Sequence, residues 1–538
     1  MGWENRTTLA TLKRLLRQPP FWFLLGLLVF LKLAALTLYL AHFGATNDDE
    51  GFYCLISREV IAGRALYHDL FFTQMPLLPY VYGPLLRLMP QSIESGRWIS
   101  CVLTLLGVLA TWRAAWILLS PAASFAALAL VATDGNVSAK GCQALSEPLA
   151  FACAGLGLWA MAAVVGSSPA DRQSANRPAC AALAGLAFAA AALTRLSMLP
   201  IPVVLLVYLA VCGTRRTGGD AWKTFTAFAI TALGLLAAVV LHYALADWPR
   251  FYFSVYGWNA AFARSFSHAL IVWSFFRDLA DSSIPSILVV IPAFCFVLLR
   301  MMPARSWRPD RRRVYAFAVS LAAAWLICTL IHVTRRPAFS VYQFPLLPLL
   351  AVLAGWAFDN VRGSFRRSAL PLAGALAVAG GVWLCWRIPV ERASFSTTPA
   401  GVYAAAAPLR AAGSMRLLTV DSNVAYCAPA ARLVHGYEMA EFSLMGDFVP
   451  PNERTLGGRI PAQFLRDIDS ADYVVLRNYD MSWFPSRMKP ALNARLYGLE
   501  PVSVTRHFGQ FGGEDSKSDY LIIFRHKPGD SISGSGGR

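Results

Sequence analysis

No Cys-x-x-Cys pair occurs in this sequence, although it carries 10 cysteines, and most of them fall inside apolar runs. That placing excludes a paired-thiol zinc site and a disulfide framework, and leaves the cysteines as small core-filling residues. Short segments of alternating polarity, which a transmembrane β-barrel requires, are missing from the apolar part of the chain. So are heptads, solenoid repeats, low-complexity arrays and any internal repeat. Acidic residues are few, 31 against 48 Lys and Arg, which gives a net charge of +17. The excess charge does not describe a nucleic-acid groove. It falls in short gaps between apolar runs, as the positive-inside rule expects of a membrane protein.

Hydrophobic residues make up 56% of the chain, above the roughly 45–50% of soluble domains. Several apolar runs approach the roughly 20 residues that cross a bilayer. They predict an all-α polytopic membrane domain over residues 1–388, with about eleven transmembrane helices. The helices are expected near 21–43, 93–119, 122–138, 145–165, 179–194, 196–212, 224–246, 284–302, 314–333, 340–358 and 369–387. Arg6, Lys13, Arg14 and Arg17 precede the first run like a signal peptide. That run is too long for a cleaved leader, so an uncleaved first helix is expected. Gaps with Arg215 and Arg216, with Arg305 to Arg313, and with Arg362 to Arg367 alternate onto one side. The loop 44–92 then lies outside, with amphipathic helices near 51–63 and 77–89 along the interface. A second outer segment runs from Asp247 to Ser283.

Beyond Arg387 the composition shifts to short β-type runs at 416–420, 473–476, 502–505 and 520–524. They predict a C-terminal soluble α/β domain over 389–530, extracytoplasmic, followed by a flexible Gly/Ser tail at 531–538.

Chemistry is concentrated in the first outer loop. Asp48, Asp49 and Glu50 are three adjacent carboxylates beside a membrane segment, where charge is costly unless it sits at the watery rim. Three adjacent acids also describe an ordinary solvated loop. Asp134 and Glu147 flank a short connection on the same side. Ser146-Glu147-Pro148 is a helix-start pattern in which a carboxylate is favoured by the helix dipole. Lys140, Arg195, Arg335 and Arg336 break the charge rule by falling outside. Singly, such residues snorkel to the rim; together they make a phosphate clamp. Lys32, near the middle of the first helix, has no recognisable partner and reads as snorkelling.

Together these stretches resemble the GT-C glycosyltransferases, in the branch of protein O-mannosyltransferases and the lipid A aminoarabinose transferase. Asp49-Glu50 matches the acidic pair after the first helix, and Tyr53 to Glu59 the Tyr-x-x-x-x-Arg-Glu that follows, which contains Arg58. Gly63 to Asp69 matches a Gly-x-x-x-Tyr-x-Asp element. Gln74-Met75-Pro76 matches a Gln-Pro-Pro turn, with Met75 departing from it. Glu147 resembles the second acidic position, Thr194-Arg195 the helix break, and His332 to Arg336 with Tyr342 to Pro348 the late lipid-phosphate motif.

The resemblance implies an inverting glycosyltransferase that moves a sugar from a polyprenyl-phosphate donor to an acceptor hydroxyl on a glycan, lipid or protein. Such a transfer needs a carboxylate to take the acceptor proton and positive charge around the departing phosphate. Asp49 is the expected base, with Asp48, Glu50 and Glu147 positioning sugar or acceptor. Arg195 and Arg335 are expected on the phosphate, with Asp134, Lys140, Arg336, Tyr342, Arg58 and Gln74 as further binding residues. Some GT-C enzymes use a divalent cation and this branch generally does not, so none is assigned. The expected location is the plasma (inner) membrane. Two other classes remain open: a transporter or lipid flippase, which places charge near the midplane and often shows repeated halves, and a non-catalytic scaffold for envelope assembly.

Overall fold

The computed structural model describes residues 18–166, 176–214, 219–260, 309–334, 340–364, 397–419, 421–434, 460–477, 489–506 and 520–526. Seven helices among them are long and apolar enough to cross a membrane, and two shorter apolar helices accompany them. The protein is therefore a multi-pass membrane protein. Its first helix, α1, spans Pro19–Phe43 and starts on a proline, which tolerates the first helical turn because its missing N–H would be unpaired there anyway. The loop helices are α2, Asp48–Ile61, and α3, Leu77–Arg87. There follow α4, Ile93–Leu118, α5, Pro121–Thr133, α6, Gly135–Ala139, and α7, Ser146–Gly166. Next come α8, Arg177–Thr194, α9, Pro200–Thr214, and α10, Gly219–Tyr252. After the residues outside the description come α11, Pro309–Thr334, and α12, Leu347–Ser364.

Small residues let these helices approach closely, as is usual where lipid removes the ordinary hydrophobic drive. A side chain on Gly155 of α7 would meet the backbone of Gly107 on α4. Around that crossing lies the larger core, with Val108, Leu128, Phe151, Phe188 and Phe344.

Four expectations need correction or qualification. The helix expected at 122–138 ends at Thr133, because Asp134 adopts extended backbone and starts a separate short helix. Thirteen residues reach only about 20 Å at about 1.5 Å per residue, short of a bilayer core. The loop helix α2 does not keep the exposed polar face of an amphipathic helix: Phe52, Tyr53, Cys54, Leu55 and Ile56 are all buried, since α2 is covered by protein on nearly every side. The segment from Asp247 is not a loop at its start: the helix resumes past a non-helical Asp247 and runs through a π-turn at Phe253–Gly257. The helices expected at 284–302 and 369–387 lie outside the described residues, as do most of the Asp247–Ser283 segment and the 531–538 tail.

The C-terminal part forms one five-stranded sheet in the order β2-β1-β3-β5-β4. Its strands are β1, Met415–Thr419, β2, Ala431–Leu433, β3, Tyr473–Arg477, β4, Leu499–Arg506, and β5, Tyr520–His526. The first three run parallel, with Leu417 opposite Leu433 and Tyr473, and β5 and β4 continue antiparallel. A short helix, α13, Ser422–Tyr426, follows β1. The second core runs without a break from the first loop into this sheet. Phe52, Ile56, Leu78 and Tyr82 share it with Val402, Leu417, Val424, Val475 and Ile523.

Candidate active site

The first turn of α2 carries the acidic run. Helix starts leave about four amides without intrahelical acceptors, and here side chains supply them. Asn47 Oδ1 accepts from the Asp49 amide at 3.0 Å, and Glu50 Oε1 accepts from the Asn47 amide at 2.7 Å. The Gly51 amide donates to Oδ1 of Asn423, on α13 of the C-terminal sheet, at 2.7 Å. Asp48 opens the helix, and Asp49 is half-buried beside it. The positive end of the helix dipole favours a carboxylate at this position.

Glu50 departs from its expected role. It is fully buried, and Arg97 of α4 grips it with Nε on Oε2 and Nη2 on Oε1, both at 2.7 Å. The Ala144 amide donates to Oε2 at 3.1 Å. With the Asn47 amide, these bonds fill the roughly four acceptor sites of a carboxylate. No lone pair is left for a sugar or an acceptor hydroxyl. Arg97 also donates to the carbonyls of Gly44 at 3.0 Å and Ala45 at 2.6 Å, and so ties the end of α1 to the start of α2. Sequence reading missed Arg97. Its one signal was a lone arginine at the head of an apolar run.

The second acid and the helix break do meet. Arg195 adopts extended backbone between α8 and a 3-10 turn at Leu196–Met198. The break aims its side chain at the start of α7, where Nη1 donates to Glu147 and, at 2.9 Å, to Ser146 Oγ. Both contacts use Nη1. The other edge of the guanidinium makes no hydrogen bond among the described residues. The Arg195 guanidinium lies over the Tyr342 ring at 4.7 Å, and the His332 ring backs Tyr342 at 5.5 Å.

Tyr53 joins the two halves. It sits one turn after Asp49 and packs in one core with Leu145, Leu149 and Leu193, the residues around Glu147 and Arg195. Burial pushes its phenol well above its ordinary range; Asp49 and Glu147 add to the rise, while Arg195 and Ser146 oppose it. Tyr53 is thus a neutral hydroxyl within electrostatic reach of both acids and of Arg195. The sequence placed it in a motif without giving it a role.

Other expected residues stand apart from this cluster. Arg58 pairs with Glu59 at 3.1 Å. Lys140 caps α6 and forms no ion pair among the described residues. Asp134 is buried and caps α6 by accepting from the Asn136 amide at 2.9 Å. Gln74 contributes its carbonyl, which accepts from Tyr67 Oη at 2.8 Å. That bond belongs to a knot in the Gly63–Asp69 element. Gly63 and Tyr67 both take positive φ, +97° and +68°, and Asp69 accepts from the Ala65 amide at 2.8 Å. Tyr67 is held in that unfavourable backbone region by Tyr243 and Phe251, packed at 4.9 and 5.0 Å. Arg335 and Arg336 lie outside the described residues. No three His, Cys, Asp or Glu side chains gather as a metal site would require, among the described residues.

No protein-family model and no curated protein sequence matches the chain. Solved structures do match. ArnT from Cupriavidus metallidurans bound to undecaprenyl phosphate superposes with a TM-score of 0.61 at 15% identity, covering 96% of this chain and 99% of that one. The oligosaccharyltransferase of Archaeoglobus fulgidus in its apo form gives 0.53 at 12% identity, covering 94% and 75%. The same archaeal enzyme, AglB, in complex with an inhibitory peptide and a dolichol-phosphate gives 0.51 at 12% identity, covering 91% and 74%. From Pro19 to its C-terminal sheet, this chain shares its fold with ArnT and with the archaeal oligosaccharyltransferase.

Proposed function

We propose that this protein transfers a sugar from a polyprenyl-phosphate donor to an acceptor hydroxyl, with Asp49 as the general base. The observation that carries the reading is that Tyr53, one turn from the half-buried Asp49, packs in one core with Leu145, Leu149 and Leu193, the residues around the buried Arg195–Glu147 pair. Asp49 acts on the incoming oxygen and the pair on the departing phosphate. The two structural neighbours whose descriptions name a polyprenyl phosphate, undecaprenyl or dolichol, favour the same donor class here.

In this reaction the acceptor oxygen attacks the anomeric carbon and gives its proton to Asp49. The bond between that carbon and the phosphate oxygen breaks, and the lipid phosphate keeps the electron pair. Single displacement inverts the anomeric centre. Arg195 offers the free edge of its guanidinium to the phosphate, fixed in angle by Tyr342 and Glu147. Tyr53 donates from a neutral hydroxyl to the sugar or the acceptor. The sequence puts Arg305–Arg313 in a basic gap of the kind that the positive-inside rule keeps cytoplasmic, and the alternation of such gaps favours an extracytoplasmic site in a plasma membrane. The acceptor is a glycan, lipid or protein hydroxyl.

The test is transfer from a panel of purified polyprenyl-phosphate sugars, with donor varied and acceptor saturating. Arg195→Ala should raise the donor KM about tenfold or more, because a hydrogen bond to a charged group contributes roughly 1.5–3 kcal/mol and about 1.4 kcal/mol is a factor of ten. The same change leaves Glu147 buried and unpaired, so Arg195→Ala combined with Glu147→Gln separates lost phosphate contact from a stranded charge. Arg195→Lys should recover only part of the loss, since it keeps the charge without the planar fork. Unchanged donor dependence in both Ala-containing variants removes Arg195 from the phosphate.

A further inference from the structure

We infer that Asn423, on the C-terminal sheet domain, is a positioning residue for Asp49, so that this domain sets the geometry of the base. The inference rests on the proposed role of Asp49 and deepens it.

Asn423 uses both ends of its amide on the first turn of α2. Oδ1 accepts from the Gly51 amide at 2.7 Å, and Nδ2 donates to the Asn47 carbonyl at 3.0 Å. Those two residues bracket Asp49 in the chain. Asn423 itself is buried and sits in α13, whose start is fixed by Asp421 accepting from the Val424 amide at 2.8 Å. Approach is close enough that a side chain on Gly51 would fall on the backbone of Ser422 and Asn423. Glycine at position 51 is thus required by the docking of the domain.

The two anchors of this turn act from opposite sides. Arg97 holds Glu50 from the membrane helices, and Asn423 holds Asn47 and Gly51 from the sheet domain. Asp49 lies between neighbours held from both sets of elements, Asn47 and Gly51 by Asn423 and Glu50 by Arg97. A second strap runs parallel to this one: the Thr46 amide and hydroxyl both reach the Thr397 carbonyl, at 2.9 and 3.0 Å. An aligned base matters because displacement by about 1 Å can cost on the order of a hundredfold in rate.

Asn423→Leu keeps the volume and removes both hydrogen bonds. The expected result is a fall in kcat of about tenfold to a hundredfold, with affinity for undecaprenyl phosphate and the donor KM unchanged. Asn423→Asp keeps the oxygen that accepts from Gly51 and loses only the donor, so it should recover part of the turnover. In parallel, amide hydrogen exchange is followed in the full-length wild-type protein under rising denaturant. The amides of 48–52 should lose protection together with β1 rather than with α4. This arm reads no chemistry and needs no variant to fold. If Asp49→Asn keeps full activity the base reading fails, yet the exchange arm still reports whether the sheet domain holds the turn. Wild-type kcat in Asn423→Leu, a loss confined to donor KM, or α2 amides that open with α4 would each overturn the assignment.

Discussion

Asp49→Asn should leave the protein folded and membrane-inserted while lowering sugar transfer by about 10²–10⁴-fold, the usual contribution of a general base. The substitution keeps the shape of the side chain and its place in the first turn. The backbone amide of Asp49, which is bonded to Asn47, is untouched. What disappears is the carboxylate proposed to take the acceptor's proton. The loss should appear in kcat at saturating donor and acceptor, with binding of undecaprenyl phosphate preserved. Full turnover in the Asn variant would transfer the role to another acid; Asp48 is the next candidate, since Glu50 has no free acceptor site.

Arg97→Ala should act on folding. Both members of the Arg97–Glu50 pair are completely buried, and removing one partner of such a pair costs about 3–5 kcal/mol because the other is left charged and dry. Against a typical total stability of about 5–15 kcal/mol, that is a large share. The Gly44 carbonyl would lose its arginine donor as well, while that of Ala45 would keep only the Gln143 amide at 3.1 Å. The expected outcome is a sharp fall in detergent-solubilised yield and in thermal midpoint. Arg97→Met combined with Glu50→Met should be less harmful than Arg97→Ala, since no lone charge stays behind. Equal thermal midpoints for wild type and Arg97→Ala would refute the structural role of the pair.

These two neighbouring acids show where sequence reading succeeds and where it stops. The run Asp48-Asp49-Glu50 stood out in the sequence as a candidate for the chemistry, because three carboxylates beside an apolar helix are expensive unless used. Their division of labour was not visible. Adjacent residues on a helix point about 100° apart, so one can face a cavity while the next faces Arg97. Only the partner decides which, and that partner stands 47 residues away. Arg195 and Glu147 were each recognisable from the break and the helix start around them, but their pairing through Nη1 was not. The sheet domain was legible as short β-type runs, while its brief strand Ala431–Leu433 escaped notice at three residues. Asp134, placed among the binding residues by its position at the rim, turns out to cap a short helix. Asn423 was silent: an asparagine in an irregular stretch carries no sign that it completes a helix elsewhere.

The bond between Gly51 and Asn423 joins positions 372 residues apart, which has a consequence for how the protein is made. Synthesis runs at about 5–20 residues per second, so the ribosome delivers Asn423 on the order of 20–75 seconds after Gly51. During that interval α2 has been threaded across or beside the bilayer with its apolar face uncovered and its first turn incomplete. Most of the helices will have been inserted before the first turn of α2 can close. With Asp49 and Asn423 in their proposed roles, a chain that stalls before its C-terminal sheet is anchored yet catalytically unassembled, and activity appears only when the final quarter of the polypeptide folds down onto a loop made near the beginning.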